Sequence, residues 1–96
     1  MSHFKITPAA YEDLKEISRY TQNKWGVKKR NLYLAALNSR FNWLSENPEI
    51  GKCRDDIKDG YLSYPEGKNV IFYRVRMNHI EILAILHQNM DYHIHL

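Results

Sequence analysis

Apolar side chains recur at helical spacing through the first half of this chain and at strand spacing through the last third. His3–Thr7 alternates Phe4 and Ile6 with polar neighbours and predicts a short strand. Thr7-Pro8 then starts a helix: the Thr side chain caps it, and proline at the first helical position has no N–H to satisfy. Ala10, Leu14, Ile17 and Thr21 share one face, and Glu12, Asp13, Lys15, Glu16 and Arg19 fill the other side. Gly26 ends this helix after Lys24-Trp25, because only glycine takes the left-handed stop without strain. A second helix follows from Val27 to Glu46. Tyr33, Leu37, Phe41 and Leu44 form its main stripe, with Leu32, Ala36 and Trp43 beside it. A helix this apolar is expected to be buried on two sides, one of which a bound partner can supply. Asn47-Pro48 stops it.

Residues 48–60 read as a polar crossing loop, Tyr61–Tyr64 as a short strand ended by Pro65, and Glu66-Gly67-Lys68 as a turn. Val70–Arg76 and Ile80–His87 are β-rich runs around Met77-Asn78-His79, the pattern of a hairpin. Alternation puts Ile80, Ile82, Ala84 and Leu86 on one face of the last strand and Leu83 and Ile85 on the other. A strand apolar on both faces is interior to its sheet. The helices are expected to cover one face, and the tail Asp91–Leu96 or another chain the second. Expected core residues are Leu14, Ile17, Leu37, Phe41, Phe72, Ile82 and Leu86.

Length limits this to one small domain over residues 1–96. A net charge of +3 permits an anionic partner without requiring one. The single cysteine, Cys53, excludes an internal disulfide and a cysteine zinc cluster, and fits a reducing compartment. No apolar run reaches the ~18 residues of a membrane span. The N-terminal Met1-Ser2-His3-Phe4-Lys5 lacks the apolar core of a signal peptide, so a cytoplasmic protein with no membrane contact is expected.

Candidate chemistry is sparse. Five histidines invite a metal reading, but only His93 and His95 stand at chelating spacing, with no second ligand pair, so neither metal nor cofactor is expected. His87 is the sharpest candidate for a general base, since imidazole titrates in the useful range. Tyr73, Arg74, Lys68 and Arg76 are the side chains available to assist it. The plain alternative is that His87 closes a strand end by hydrogen bonding. Lys24, Lys28, Lys29 and Arg30 surround the turn between the helices and read either as a grip for an anionic surface or as a solvated helix end.

In order and spacing, several segments together resemble the RelE/ParE toxin superfamily, in particular its ParE branch. They are Ala9-Ala10-x-x-Asp13-Leu14-x-x-Ile17, Trp25-Gly26, Tyr33 through Phe41, and Leu44-x-x-x-Pro48-x-x-Gly51. Val70-Ile71-Phe72-Tyr73-Arg74, Ile80-Glu81-Ile82-Leu83 and Ile85-Leu86-His87-x-x-Met90-Asp91 complete the set. The resemblance implies an α+β fold of order β-α-α-β-β-β, with a helical hairpin packed on a curled antiparallel sheet. It implies a toxin of a type II toxin–antitoxin pair, held in a hetero-oligomer by a ParD-like antitoxin whose disordered C-terminal region folds over it. ParE-like toxins are associated with poisoning DNA gyrase and blocking replication; RelE-like relatives cleave mRNA on the ribosome. Fold alone does not separate the two.

Residues favour the gyrase reading. A nuclease needs clustered cations to stabilise charge on a pentavalent phosphate. Here Ala84 stands where many relatives carry Arg, and Gln88-Asn89-Met90 adds no cation after His87. On that reading there is no catalytic residue and no sequence-specific nucleic-acid contact. The expected gyrase-contact residues are Lys24, Trp25, Lys28, Lys29 and Arg30, with Arg74 secondary. Leu32 and Trp43, off the main helical stripe, and Tyr61 and Tyr64, on an outer strand, are the expected antitoxin contacts. The nuclease alternative uses His87, Arg74 and Tyr73. A third reading is a degenerate toxin that serves only as antitoxin partner.

Overall fold

The computed structural model describes residues 3–96; Met1 and Ser2, the head of the N-terminal stretch considered for a signal segment, lie outside them. The elements are β1 (Phe4–Ile6), α1 (Pro8–Trp25), α2 (Val27–Glu46), β2 (Lys52–Cys53), β3 (Leu62–Glu66), β4 (Asn69–Val75), β5 (Ile80–His87) and a terminal helical turn α3 (Tyr92–His95). The chain is α+β, with the two helices packed on a five-stranded sheet of order β1-β5-β4-β3-β2.

Local chemistry sets the helix ends. Thr7 Oγ1 accepts from Ala10 N–H at 3.1 Å and Pro8 opens α1. Gly26, at φ +93°, closes α1 by donating its N–H to Gln22 O at 2.9 Å. Its backbone conformation is one that side-chain-bearing residues avoid.

The expected antiparallel sheet is antiparallel from β2 through β5, and β1 adds a parallel edge on β5. Hairpin connections make the antiparallel pairs; a parallel neighbour requires a long crossover, which here contains both helices. β5 is therefore interior, as its apolar faces require. β1 pairs only with residues 80–82 of β5. Beyond it the start of α1 takes over. Thr7 N–H donates to Ile82 O at 3.1 Å, Thr7 Oγ1 to Leu83 O at 3.3 Å, and Asp13 Oδ2 accepts from Ile85 N–H at 3.0 Å. These bonds satisfy backbone groups that an open sheet edge would leave unpaired.

The simple alternation expected for β5 is broken. Tyr73 pairs with Ile82 but Phe72 pairs with Ala84, so Leu83 is an extra residue. Such a bulge changes which side chains share a face. Ile80, Ile82 and Ile85 pack under the helices with Leu37, Phe41, Leu44 and Ala10. Ala84 and Leu86 join Phe72 on the opposite face, with Leu83 packed against them. The tail does cover that face: Tyr92 meets Phe72 edge-on at 4.9 Å, and Leu96 and Ile57 pack beside them.

Of the expected core, Leu37, Phe41, Phe72, Ile82 and Leu86 are buried, whereas Leu14 and Ile17 are half-buried against the core's margin. Ala10 is the one fully buried residue of α1, so that helix meets the sheet through its first turns. The second stripe of α2 is open at Ala36 and at Leu32, which is 61% exposed, whereas Trp43 is half-buried against the core. Two details lie outside the sequence pattern. β3 runs through Pro65, tolerated because β2 pairs only with Leu62 and Ser63 and leaves the rest of β3 as an edge. The crossing loop contains β2 itself, too short to show a period.

Candidate functional site

The turn joining α1 to α2 gathers the basic candidates. Lys24, Trp25, Lys28 and Lys29 are exposed and Arg30 is half-buried. Lys24 Nζ lies 5.4 Å from the Trp25 ring centroid and 5.5 Å from that of Tyr20, and donates to the Tyr20 hydroxyl at 3.2 Å. Arg30 is tied to Gln22 Oε1 at 2.5 Å and Asn31 Oδ1 at 2.9 Å. Trp25 is 61% exposed and Val27 49%. The tip thus presents cations around uncovered apolar surface, a combination suited to a protein contact.

The four residues marked for an apolar partner do not form one patch. Trp43 and Tyr64 are together, their ring centroids 5.3 Å apart. The Arg40 guanidinium lies over both, at 4.8 and 5.2 Å, and Arg40 Nε pairs with Glu66 Oε1 at 2.7 Å. Both rings are half-buried by this packing. Leu32 sits eleven positions earlier on α2, about 16 Å along the axis at 1.5 Å per residue. Tyr61 is half-buried at the start of β3. Where α1 meets α2 there is a shallow groove of about 530 Å³, lined by Tyr11, Leu14, Ser18, Gln22 and Leu34 among others. Tyr11 is 56% exposed there.

The three nuclease candidates are held apart. Arg74 faces Glu81 across the β4–β5 ladder, whereas His87 faces Asn69 at the other end. Asn69 and Arg74 are five steps apart along β4, about 16 Å at strand rise. Arg74 Nε pairs with Glu81 Oε1 at 2.6 Å, with Arg76 Nε at 3.5 Å from the same oxygen. The hydrogen bond from Arg74 holds the Glu81 carboxyl below its usual range. His87 is exposed, and its Nδ1 accepts from Asn89 N–H at 3.2 Å, closing the strand end. Tyr73 is fully buried; its hydroxyl donates to Pro48 O at 2.8 Å and accepts from Gly51 N–H at 2.9 Å. Burial pushes the phenol upward, away from a reactive phenolate. Lys68 is exposed in the β3–β4 turn, and its carbonyl accepts from Gln88 N–H at 2.9 Å. His93 and His95 lie on α3, with His93 Nε2 3.8 Å from Asp56 Oδ2. Among the described residues, no three of His, Cys, Asp and Glu converge as metal ligands would. Nor is any helix among them long and apolar enough to cross a membrane.

A profile of the family described as "ParE toxin of type II toxin-antitoxin system, parDE" matches residues 4–92. The chain belongs to the ParE toxin family. Among its relatives, Toxin ParE1 of Mycobacterium tuberculosis is 36% identical over 91 residues, covering 94% of this chain and 93% of the relative. Toxin ParE1 of Caulobacter vibrioides is 31% identical over 96 residues, covering 100% and 99%. A solved structure titled "Chromosomal ParDE TA system from P. aeruginosa" superposes with a TM-score of 0.77 at 21% identity, covering 91% of this chain and 96% of that one. The RelE/ParE-like fold implied by the sequence is the fold observed.

Within this ParE-type chain, sequence reasoning gave no role to three residues that organise these surfaces. Asp13 reaches the β5 backbone, and burial pushes its carboxyl upward against the lowering effect of the Ile85 N–H. The expected place of Asp13 on the polar side of α1 is corrected: three positions after Ala10 and four before Ile17, it shares their core-facing side, and that spacing was the available clue. Arg40 and Arg54 cap the aromatic pairs on opposite faces of the sheet: Arg54 lies 5.3 Å from the Tyr92 centroid and 5.6 Å from that of Phe72. Arg40 over Trp43 follows from i,i+3 spacing on α2, but its contacts with Tyr64 and Glu66 and those of Arg54 with Phe72 and Tyr92 do not, since these partners are distant in sequence.

Proposed function

We propose that this ParE toxin inhibits DNA gyrase by binding, without a chemical step of its own, and that a ParD-like antitoxin neutralises it directly. One observation carries the first part: Tyr73, Arg74 and His87 are each engaged elsewhere, and the Arg74 and His87 positions are about 16 Å apart on the strand. Charge developing on a phosphate at His87 would have no fixed guanidinium beside it, and that kind of preorganised charge is usually the largest contribution to such catalysis. Binding needs only a complementary surface. The cationic, apolar tip of Lys24, Trp25, Lys28, Lys29 and Arg30 offers one, since a gyrase–DNA complex presents anionic patches.

The antitoxin reading rests on apolar surface that the fold leaves open. Leu32 and Tyr11 are more than half exposed, and the α1–α2 groove accepts an amphipathic segment laid along it. A disordered antitoxin tail that folds on this surface would cover it.

Replacing Lys24, Lys28 and Lys29 together by Ala tests the contact surface. Supercoiling inhibition should fall by at least about tenfold with the melting temperature unchanged. Full inhibition by the triple variant contradicts the tip assignment. Leu32→Asp should weaken binding of the cognate ParD-like antitoxin; a wild type with no affinity for it contradicts the antitoxin reading.

A further inference from the structure

The sheet face turned away from the helices is divided. One half is apolar and covered, with Phe72, Ala84 and Leu86 under Tyr92 and the Arg54 guanidinium. The other half, toward the β4–β5 turn, is charged and open. Lys5, Glu81 and Arg74 stand side by side on β1, β5 and β4. Arg76 follows on β4's side of the turn, its side chain 46% exposed. Beyond it Met77 is 100% exposed. Lys5, Glu81, Arg76, Met77 and His79 are among the residues that line a depression of about 820 Å³, and Arg74 lies next to it, opposite Glu81 on the ladder.

Arg74 and Arg76 pair with the carboxylate of Glu81, and the exposed Lys5 stands beside it on β1, which gives this corner a surplus of two positive charges. Both guanidiniums share one oxygen of that carboxylate through Nε, which leaves their terminal N–H groups for another acceptor. A fully exposed methionine amid these cations is an adaptable apolar contact. We propose that this corner docks an acidic peptide segment of a partner protein, one carrying an apolar side chain between its carboxylates. The carboxylates pair with Arg76, Arg74 and Lys5, with bidentate geometry at the arginines. The apolar side chain covers Met77. A DNA backbone matches the charge but offers no apolar side chain for Met77, so the mixed surface favours a peptide. The surface is on the sheet, apart from the α1–α2 tip and groove, and does not depend on the gyrase reading.

The test is an amide NMR titration of the isotope-labelled chain with a short synthetic peptide of alternating Glu and Leu. A Gln–Leu peptide of equal length and a short DNA duplex run in parallel. The Glu–Leu peptide should shift Lys5, Val75, Met77 and His79, and should weaken with added salt. Arg76→Glu and Met77→Ser should each lower affinity about tenfold. Lys28→Ala with Lys29→Ala should leave it unchanged. Both substituted side chains are exposed, so an unaltered melting curve verifies the fold, and Lys5→Glu gives an independent variant. Shifts confined to the helix-hairpin tip, an equal response to the Gln–Leu peptide, no shift at all, or tighter binding of the duplex at the same residues would each overturn the proposal.

Discussion

Tyr73→Phe removes one oxygen from the centre of the fold and leaves the ring in place. That oxygen ties the end of α2 to β4, because it donates to Pro48 O at 2.8 Å and accepts from Gly51 N–H at 2.9 Å. Gly51 is shaped around it: a Cβ at that position would overlap the Tyr73 hydroxyl. Two net hydrogen bonds contribute about 0.5–1.5 kcal/mol each, so their loss costs roughly 1–3 kcal/mol. The lower end applies to the extent that water reaches Pro48 and Gly51, both of which are half-buried. For a domain of this size, about 2 kcal/mol lowers the melting temperature by roughly 8–16 °C. Circular dichroism melts and urea unfolding measure this directly. Gly51→Ala should also cost less in the Tyr73→Phe background than in wild type, because the overlapping oxygen is gone. A Tyr73→Phe loss below about 0.5 kcal/mol would refute the reasoning, as would strictly additive costs in the double variant. Folded Tyr73→Phe protein should keep its inhibitory activity, since the residue acts on structure and not on a substrate.

Leu37→Ala and Phe41→Ala, at fully buried positions of α2, should each cost about 2–5 kcal/mol in denaturant unfolding. Gly26→Ala should cost about 1–3 kcal/mol by the same measurement, because the residue must hold φ +93°. Asp13 has its carboxyl raised above 3.8 by burial, so the native state holds that proton more tightly than the unfolded one. Its contribution to stability therefore falls as pH rises from about 3.8 through the raised value, and Asp13→Asn should flatten that part of the stability–pH curve. Glu81 has the opposite sign. Its carboxyl is depressed below 4.5, so its stabilisation is present above that pH and lost as pH falls through the depressed value. The stability gap between wild type and Glu81→Gln should accordingly narrow in acid.

The helices were legible because their limits are local: Thr7-Pro8, Gly26 and Asn47-Pro48 act through neighbouring backbone alone. The β4–β5 hairpin was legible for the same reason. The β5 faces were not, because a bulge at Leu83 follows from pairing with β4 and from the Asp13 bond to Ile85, which spans 72 positions. The parallel β1 edge depends on where the helices return the chain. Among the site candidates, the basic tip could be read as one cluster, since its residues are neighbours on a helical turn. Tyr73 looked available beside Arg74 only because adjacency in a strand does not show which side chain is inside; the two point to opposite faces, one buried and one half-open. Of the four residues expected at one partner surface, only Trp43 and Tyr64 come together, their rings in direct contact under the Arg40 guanidinium.

Inhibition of gyrase by binding, without chemistry, is tested by a DNA supercoiling assay run beside a ribosome-dependent mRNA cleavage assay, with wild type and His87→Ala. Wild type should inhibit supercoiling, His87→Ala should inhibit it nearly as well, and neither should cleave mRNA. A wild type that cleaves mRNA and leaves supercoiling untouched, with cleavage falling about 10²–10⁴-fold in His87→Ala, would contradict it and assign His87 as a general base.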